Sequence, residues 1–386
     1  MLAGIMEPAK RRRILFLVTT SDWGGVQHFV FSMAKECQSR DMSVTVAAGG
    51  DGELGKRCGD ERINYVTLTT MRREISLFHD LAALYEIRML IRELKPDVVH
   101  LNSSKMGIVG SVAADLEHVP RIIYRIGGWS FLERVGRVKR MVYLLAERWT
   151  AHRKDVIVTV HPGDEEIAKR YHIRPRHRVL TIPNGIDIPA FDAELLSRDE
   201  ARRTLGLPSD ATIIGTVANY YPPKNLPWYL ETIAKTESLR QAQAKILFVV
   251  IGDGPERDAV ESKRRELGLE ETVVLPGRRD DVRSLYRVFD MFVLPSSKEG
   301  MPWTLLEAMA AGLPCVATDV GACGWMLAPD AGIIVQPFDG KAMADAIASV
   351  CDDPKRRFTL GAAARKAVET RFRWKDTLEK TIQLLL

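Results

Sequence analysis

Lys298-Glu299-Gly300-Met301-Pro302-Trp303-Thr304-Leu305-Leu306-Glu307-Ala308-Met309-Ala310-Ala311-Gly312-Leu313-Pro314 is the stretch that decides how this chain is read. The apolar run Met291-Phe292-Val293-Leu294-Pro295 before it has the form of a buried strand. Ser296, Ser297 and Gly300 make a loop. Pro302 suits the first turn of a helix, where a missing N–H costs nothing. Leu305, Leu306, Ala308, Met309 and Ala310 continue an apolar helix that Gly312 and Pro314 close. Strand, glycine loop and helix N-terminus aim backbone N–H groups and a positive dipole end above the sheet, which suits phosphate. Glu299 and Glu307, eight residues apart, can reach different parts of one extended ligand if one lies in the loop and the other on the helix. A sugar nucleotide fits such a site. An ordinary buried strand–helix unit fits the same residues.

Working outward, 386 residues suggest two or three domains, and 46% apolar residues are normal for a globular protein. No apolar run approaches the ~20 residues that span a bilayer. Lys10-Arg11-Arg12-Arg13 precedes an apolar piece, 14–18, too short for a signal peptide. Cys37, Cys58, Cys315, Cys323 and Cys351 are scattered and lack metal spacing, so a cytoplasmic chain with reduced thiols and no metal site is expected. The net charge of +5 is modest, and the basic residues form no nucleic-acid motif, so no nucleic-acid partner is expected.

Strand and helix patterns alternate along the chain, which implies a parallel doubly wound sheet. A strand over 13–20 leads into Asp22-Trp23-Gly24-Gly25 and a helix over 28–38. Strands over 43–49 and 65–68 and a long helix over 76–94, stopped by Lys95-Pro96, come next. Val98-Val99-His100-Leu101 runs into Asn102-Ser103-Ser104-Lys105-Met106-Gly107, a polar loop at the carboxyl end of a strand, where ligands of open α/β sheets bind. Helix capping by Ser103 or Ser104 beside a solvated Lys105 explains it equally. Arg121–Ile126 leads to Gly127-Gly128-Trp129-Ser130-Phe131. The stretch 134–154 is basic and amphipathic, with Arg134, Arg137, Lys139, Arg140, Arg148, Arg153 and Lys154 interleaved with Val135, Val138, Met141, Leu144, Leu145 and Trp149. It can lie on an anionic membrane, or it can pack its apolar stripe on the sheet as a surface helix. Pro183-Asn184-Gly185 permits a tight turn at positive φ, and the polar residues 188–204 read as a linker. A second alternation starts at 212–217, with loops at 218–225 and 252–256 and a strand and turn over 272–278.

Glu299-Gly300-Met301-Pro302 followed by Leu305-Leu306-Glu307-Ala308-Met309-Ala310-Ala311-Gly312-Leu313-Pro314 resembles the Glu-x7-Glu signature of glycosyltransferase family 4, retaining enzymes with a GT-B fold. The likeness spans nearly the whole chain and is strongest from Val249 to Gly321. It implies two Rossmann-like doubly wound α/β domains facing a central cleft. The acceptor-side domain is expected over 1–190, the nucleotide-sugar domain over 191–370, and a last helix over 371–386 crossing back to the first domain. By resemblance Glu299 is the key carboxylate at the sugar, and Glu307 takes the ribose hydroxyls. Lys224 meets the diphosphate, and Gly24, Gly25, Gly252, Gly254, Gly300, Met301 and Pro302 line the donor. The turn at Arg278 holds the base. Two positions depart from the family pattern: Asn219 stands where relatives carry an arginine, and Gly127 where they carry a histidine. Ser103, Ser104, Lys105, Gly127 and Trp129 are the acceptor-side candidates, with Trp129 stacking on a sugar ring.

The implied activity is metal-independent retaining transfer, without a cofactor. A nucleotide-sugar, UDP-linked by family frequency, supplies the sugar. The acceptor is lipid-linked or a saccharide, in surface polysaccharide synthesis at the cytoplasmic face of the membrane. An inactive paralogue that binds nucleotide as a scaffold, and a transferase to a small soluble acceptor, are the alternatives. A GT-B epimerase or hydrolase lacks the Glu-x7-Glu stretch.

Overall fold

The computed structural model describes residues 11–133, 135–235 and 246–386. Arg134 at the head of the basic stretch and Lys245 before one strand lie outside them. The chain divides into two compact units, one comprising the residues up to Ile182 together with Leu378–Leu386, the other Pro183–Thr377.

The first unit holds β1 (Arg13–Thr20), β2 (Ser43–Gly49), β3 (Asn64–Leu68), β4 (Val98–Asn102), β5 (Arg121–Arg125), β6 (Val156–Thr159) and β7 (Arg178–Thr181). They form one sheet in the order β3-β2-β1-β4-β5-β6-β7, every pair parallel. The central strands are covered on both faces, which is why β1, β4 and β5 are continuous apolar runs rather than alternating ones. The strand order reverses between β1 and β4, so the loops after these strands splay apart at their carboxyl ends. From β3 the chain steps across to β4, β5 and β6 in one direction. Right-handed crossovers therefore place the helices Leu77–Leu94, Ser104–Leu116 and Arg137–Ala151 on one face, and Gly25–Ser39 and Glu53–Asp60 on the other.

The second unit repeats the plan with β8 (Thr212–Val217), β9 (Ile246–Ile251), β10 (Val273–Gly277), β11 (Met291–Leu294), β12 (Cys315–Thr318) and β13 (Ile333–Val335), ordered β10-β9-β8-β11-β12-β13 and all parallel. Its reversal lies between β8 and β11. The doubly wound α/β expectation describes both units.

Several local expectations change. The polar residues 188–204 are not a linker: they form the helices Ile188–Glu194 and Arg198–Thr204, started by Asp187 and by a Ser197/Glu200 capping box. Their charged faces hid the helical period. Gly185 has no positive φ. A side chain there would meet the Arg373 carbonyl at 2.5 Å, so close approach selects glycine. Pro302 is the N-cap rather than the first helical residue of Trp303–Ala310.

The largest departure concerns Arg137–Ala151. Val138, Met141, Leu145 and Trp149 point outward, Tyr143 and Leu144 pack on the core beside the inward-facing Glu147, and Lys154, expected at the surface, is buried. Glu147 and Lys154 are both fully buried, 3.1 Å apart. Lys154 also donates to Thr150 Oγ1, and Tyr124 donates its hydroxyl to Glu147. Burial pulls Lys154 below its ordinary pKa, and Glu147 opposes the fall. Removing one partner strands the other charge in the core. Lys154→Met is expected to destabilise by about 3–5 kcal/mol in urea unfolding. Glu147→Leu added to it is expected to recover more than half of the loss; a double variant as unstable as the single one would show that the pair is not the source.

Candidate active site

In each unit the polar loops follow the carboxyl ends of the strands. In the second unit, β9 ends at Gly252-Asp253-Gly254. A Cβ on Gly252 (φ +145°) would come within 1.8 Å of the Ala218 carbonyl, and one on Gly254 (φ +155°) within 2.8 Å of the Tyr220 nitrogen. The two glycines let this loop lie directly on the loop after β8. Tyr220 N–H donates to the Asp253 carbonyl at 2.8 Å, and Glu256 N–H to the Tyr220 carbonyl at 3.0 Å. Asn219 stands exposed at the tip of that loop.

Lys224 ends the short turn Pro222–Lys224. Its Nζ donates to Glu299 Oε1 at 2.7 Å, and Ser296 Oγ donates to the same oxygen at 2.6 Å. Ser296 is buried, and Thr318 Oγ1 donates to its carbonyl. Both donors converge on Oε1. Among the described residues no partner reaches Oε2, which remains available to a ligand hydroxyl. Two residues singled out 75 positions apart in sequence thus form one ion pair. The lysine's other N–H bonds can meet phosphate while it holds the carboxylate.

Gly300 and Met301 are fixed from outside the motif. The Gly300 carbonyl accepts from Ala322 N–H at 2.7 Å. The buried Met301 takes Asn184 Nδ2–H on its carbonyl at 2.8 Å. The Pro-Asn-Gly turn therefore buttresses the loop that carries Glu299.

Glu307 lies on the helix Trp303–Ala310 with both oxygens engaged. Arg283 donates to Oε1 at 3.2 Å and the Tyr286 hydroxyl to Oε2 at 2.8 Å. Arg283 also pairs with Glu194 at 2.9 Å. Burial pushes the Glu307 carboxyl above its ordinary range, and Arg283 and Tyr286 oppose that rise. Sequence reasoning passed over Arg283, Tyr286 and Ser296. The available signal was spacing: Arg283 and Tyr286 are i and i+3 in the 3-10 segment Val282–Val288, and such residues eclipse. Arg278 is exposed and pairs with Asp280 at 3.4 Å.

In the first unit, Gly24 caps the helix Gly25–Ser39. Ser103 has φ +147°, an uncommon conformation for serine. Its Oγ lies 2.6 Å from Thr19 Oγ1 and accepts from Met106 N–H, so it caps the helix Ser104–Leu116. Lys105 is not solvated. Its Nζ reaches Asp80 at 2.6 Å and the carbonyls of Arg72 and Glu74 at 2.8 and 2.5 Å. Asn102 and His100 are buried within β4, and burial, helped by Arg125, holds His100 down to about 3. Gly127 is exposed, and a Cβ there would meet nothing within 4 Å. Trp129 cannot stack on a sugar ring. It is 1% exposed, donates Nε1–H to the Asp164 carbonyl at 3.1 Å and packs on Phe131.

Residues 24–185 match the family described as glycosyl transferase 4-like domain, and residues 211–353 match glycosyl transferases group 1. The chain is 30% identical over 297 residues to the Escherichia coli UDP-Gal:alpha-D-GlcNAc-diphosphoundecaprenol alpha-1,3-galactosyltransferase, covering 76% of each. This chain belongs to the family 4 glycosyltransferases. It is also 26% identical to the Staphylococcus aureus capsular polysaccharide biosynthesis glycosyltransferase CapM, over 94% of each chain. The fold matches Anabaena HepE, solved in complex with UDP and glucose, with a TM-score of 0.82 at 19% identity over 97% of this chain and 99% of that one. The two units are the Rossmann-like domains of a GT-B glycosyltransferase.

Burial of Glu307 gives this glycosyltransferase a pH-dependent stability, which the Arg283 contact moderates. A carboxyl whose folded pKa is raised favours the fold below its unfolded pKa and loses that contribution as pH rises through the folded value. Arg283→Met removes the opposing cation and raises the folded pKa further. The variant is expected to lose about 2 kcal/mol relative to the parent near pH 8 and much less near pH 3, below the ordinary carboxyl range, where Glu307 is protonated whether folded or unfolded. Paired urea titrations at the two pH values measure this; a pH-independent loss would mean that packing, not charge, is what Arg283 supplies.

Proposed function

We propose that this glycosyltransferase moves a hexosyl group from a UDP-sugar to a lipid-linked saccharide acceptor, with retention and without a metal, in the synthesis of a surface polysaccharide. The observation that carries the donor half is the Lys224–Glu299 pair at the carboxyl end of the second unit's sheet. A cation for the diphosphate and a carboxylate for sugar hydroxyls stand side by side there. Among the described residues no three His, Cys, Asp or Glu side chains gather as a metal site. Lys224 supplies the charge that a cation would otherwise bring to the phosphates.

In the reaction, the bond from the anomeric carbon to the diphosphate oxygen breaks, and the acceptor hydroxyl oxygen bonds that carbon on the same face. The hydroxyl proton passes to the departing phosphate oxygen, and UDP leaves. Glu299, oriented by Ser296 and Lys224, holds sugar hydroxyls and stabilises the cationic character at the anomeric carbon. Glu307, oriented by Arg283 and Tyr286, takes the ribose hydroxyls.

The relatives' names support the acceptor half: one transfers to a diphosphoundecaprenol-linked sugar, and another serves capsular polysaccharide. No helix among the described residues is long and apolar enough to cross a membrane. We assign membrane contact to the helix Arg137–Ala151 on the cytoplasmic face. Its outward charges, Arg137, Lys139, Arg140 and Arg148, are all basic, because Glu147 is turned inward. Each such cation contributes about 1 kcal/mol near an anionic surface, screened by salt.

Calorimetry with UDP and GDP, with and without EDTA, tests the donor claim. UDP is expected to bind equally in EDTA, and Lys224→Ala to weaken it about 10–100-fold. Glu299→Gln is expected to bind UDP normally and to lower kcat at least about 100-fold. The anomeric configuration of the product, read by NMR, decides retention. UDP binding without turnover on any lipid-linked acceptor would favour the nucleotide-binding scaffold, for which Asn219 and Gly127 speak. The open space at Gly127 makes Gly127→His a direct test of whether the missing side chain limits turnover.

For the membrane half, the whole chain is expected to sediment with phosphatidylglycerol vesicles and not with phosphatidylcholine vesicles. Raised salt, or Arg137→Glu with Arg140→Glu, is expected to reduce that binding. Indifference to anionic vesicles at low salt would leave the soluble acceptor as the better reading.

A further inference from the structure

The first unit exposes a second apolar stripe. In the helix Leu77–Leu94 the core side is Ala83, Ile87, Leu90 and Ile91. On the opposite side Phe78, Leu81, Tyr85 and Met89 follow at helical spacing and face solvent, Phe78 80% exposed. Ile75 and Leu77 extend the stripe beyond the helix start. The helix is therefore apolar on both sides, a pattern that globular packing alone does not account for.

The neighbouring helix Arg137–Ala151 repeats the spacing: Val138, Met141, Leu145 and Trp149 face outward, with Val138 80% exposed. Both helices lie on the same face of the sheet and flank Ser104–Leu116. The tip of the first helix is held, not loose. Lys105 grips the Arg72 and Glu74 carbonyls and the Asp80 carboxylate, which ties residues 72–80 to the polar loop after β4.

We propose that the stripe from Ile75 to Met89 enters the hydrocarbon of an anionic bilayer and anchors the acceptor-side unit beside the loop 103–105. This rests on the membrane reading given for Arg137–Ala151, and adds an apolar insertion to an electrostatic approach. Charge selects the occupant. The outward charges of Arg137–Ala151 are all basic, whereas the other stripe is of mixed charge, with Arg72 and Arg73 exposed beside Glu74 at its tip and Glu93 exposed near its end. A second copy docked through Arg137–Ala151 would set cations against cations, whereas anionic headgroups complement them. On Arg137–Ala151 the apolar side chains are flanked by arginine and lysine, which suits the boundary between headgroups and acyl chains and brings the neighbouring stripe to the same surface.

The native cysteines are buried or half-buried, so a cysteine placed on the surface can be labelled selectively. Leu81→Cys in the full chain, carrying an environment-sensitive fluorophore, is expected to shift its emission to the blue with phosphatidylglycerol vesicles. The same label at Lys56→Cys, exposed on the opposite face of the sheet, is expected not to shift. Phe78→Ser with Tyr85→Ser is expected to lower the vesicle binding that survives high salt about ten-fold or more. Circular dichroism and UDP binding verify that the variant is folded. Sedimentation with vesicles without a shift at position 81 would overturn the insertion and leave the basic helix as the sole contact. Absence of sedimentation would overturn both readings. A concentration-dependent blue shift without vesicles would identify a second copy as the occupant and overturn the proposal.

Discussion

A parallel sheet covered on both faces has nowhere to put polar chemistry except at the ends of its strands. That constraint organises both halves of this glycosyltransferase. Every candidate residue on the donor side follows the carboxyl end of a strand: Lys224 after β8, Gly252 and Gly254 after β9, and Glu299 after β11. The chain invests in holding these loops against one another. Glycines bring backbone onto backbone at 218–220 and 252–254, and Asn184 and Ala322 hold the loop at Gly300 and Met301. The loops are thus oriented before a ligand arrives, which reduces the ordering that binding must supply.

The two carboxylates of the motif are handled differently. Glu299 is half open. One oxygen is held by Ser296 and Lys224, and the other has no partner among the described residues. Glu307 sits deeper, where burial favours the neutral form. A neutral carboxyl accepts hydroxyl hydrogen bonds less strongly than an ionised one, so a buried acceptor needs a nearby cation. Arg283 supplies it, and Glu194 holds Arg283 in turn. The eight-residue spacing thus separates a carboxylate with one oxygen unengaged from one with both oxygens held.

Much of this was legible from the sequence because it is local. The strand runs, the Glu299–Glu307 spacing and the glycines after β9 sit within short windows whose meaning depends on backbone geometry. What escaped was set by tertiary partners. Nothing in the segment 188–204 shows that its charges face solvent from two short helices. Lys105 reads as a solvated lysine until Arg72, Glu74 and Asp80 are brought to it. Trp129 follows a strand just as a ligand-facing aromatic would, yet packing against Phe131 and Asp164 takes it into the core. Arg283 precedes the motif by more than a dozen residues and carries no signature of its own.

The helix Arg137–Ala151 shows why period alone does not orient a helix. Val138, Met141, Leu145 and Trp149 recur as a core-facing stripe should, and an ordinary helix would bury them, yet it is Tyr143 and Leu144 that pack on the core. Here Glu147 occupies the inward face and meets Lys154 from the following turn, with Tyr124 and Thr150 completing the hydrogen bonds. A buried ion pair is seldom a gain in stability over well-packed hydrocarbon. Its consequence is directional: if the helix rolled to bury Leu145 and Trp149, Lys154 would be left unpaired in the core. The pair thus fixes which side of the helix meets solvent, and that side carries apolar residues bordered only by cations. A surface of this kind is costly in water and favourable at an anionic membrane, so the core ion pair and the outward stripe act as one device.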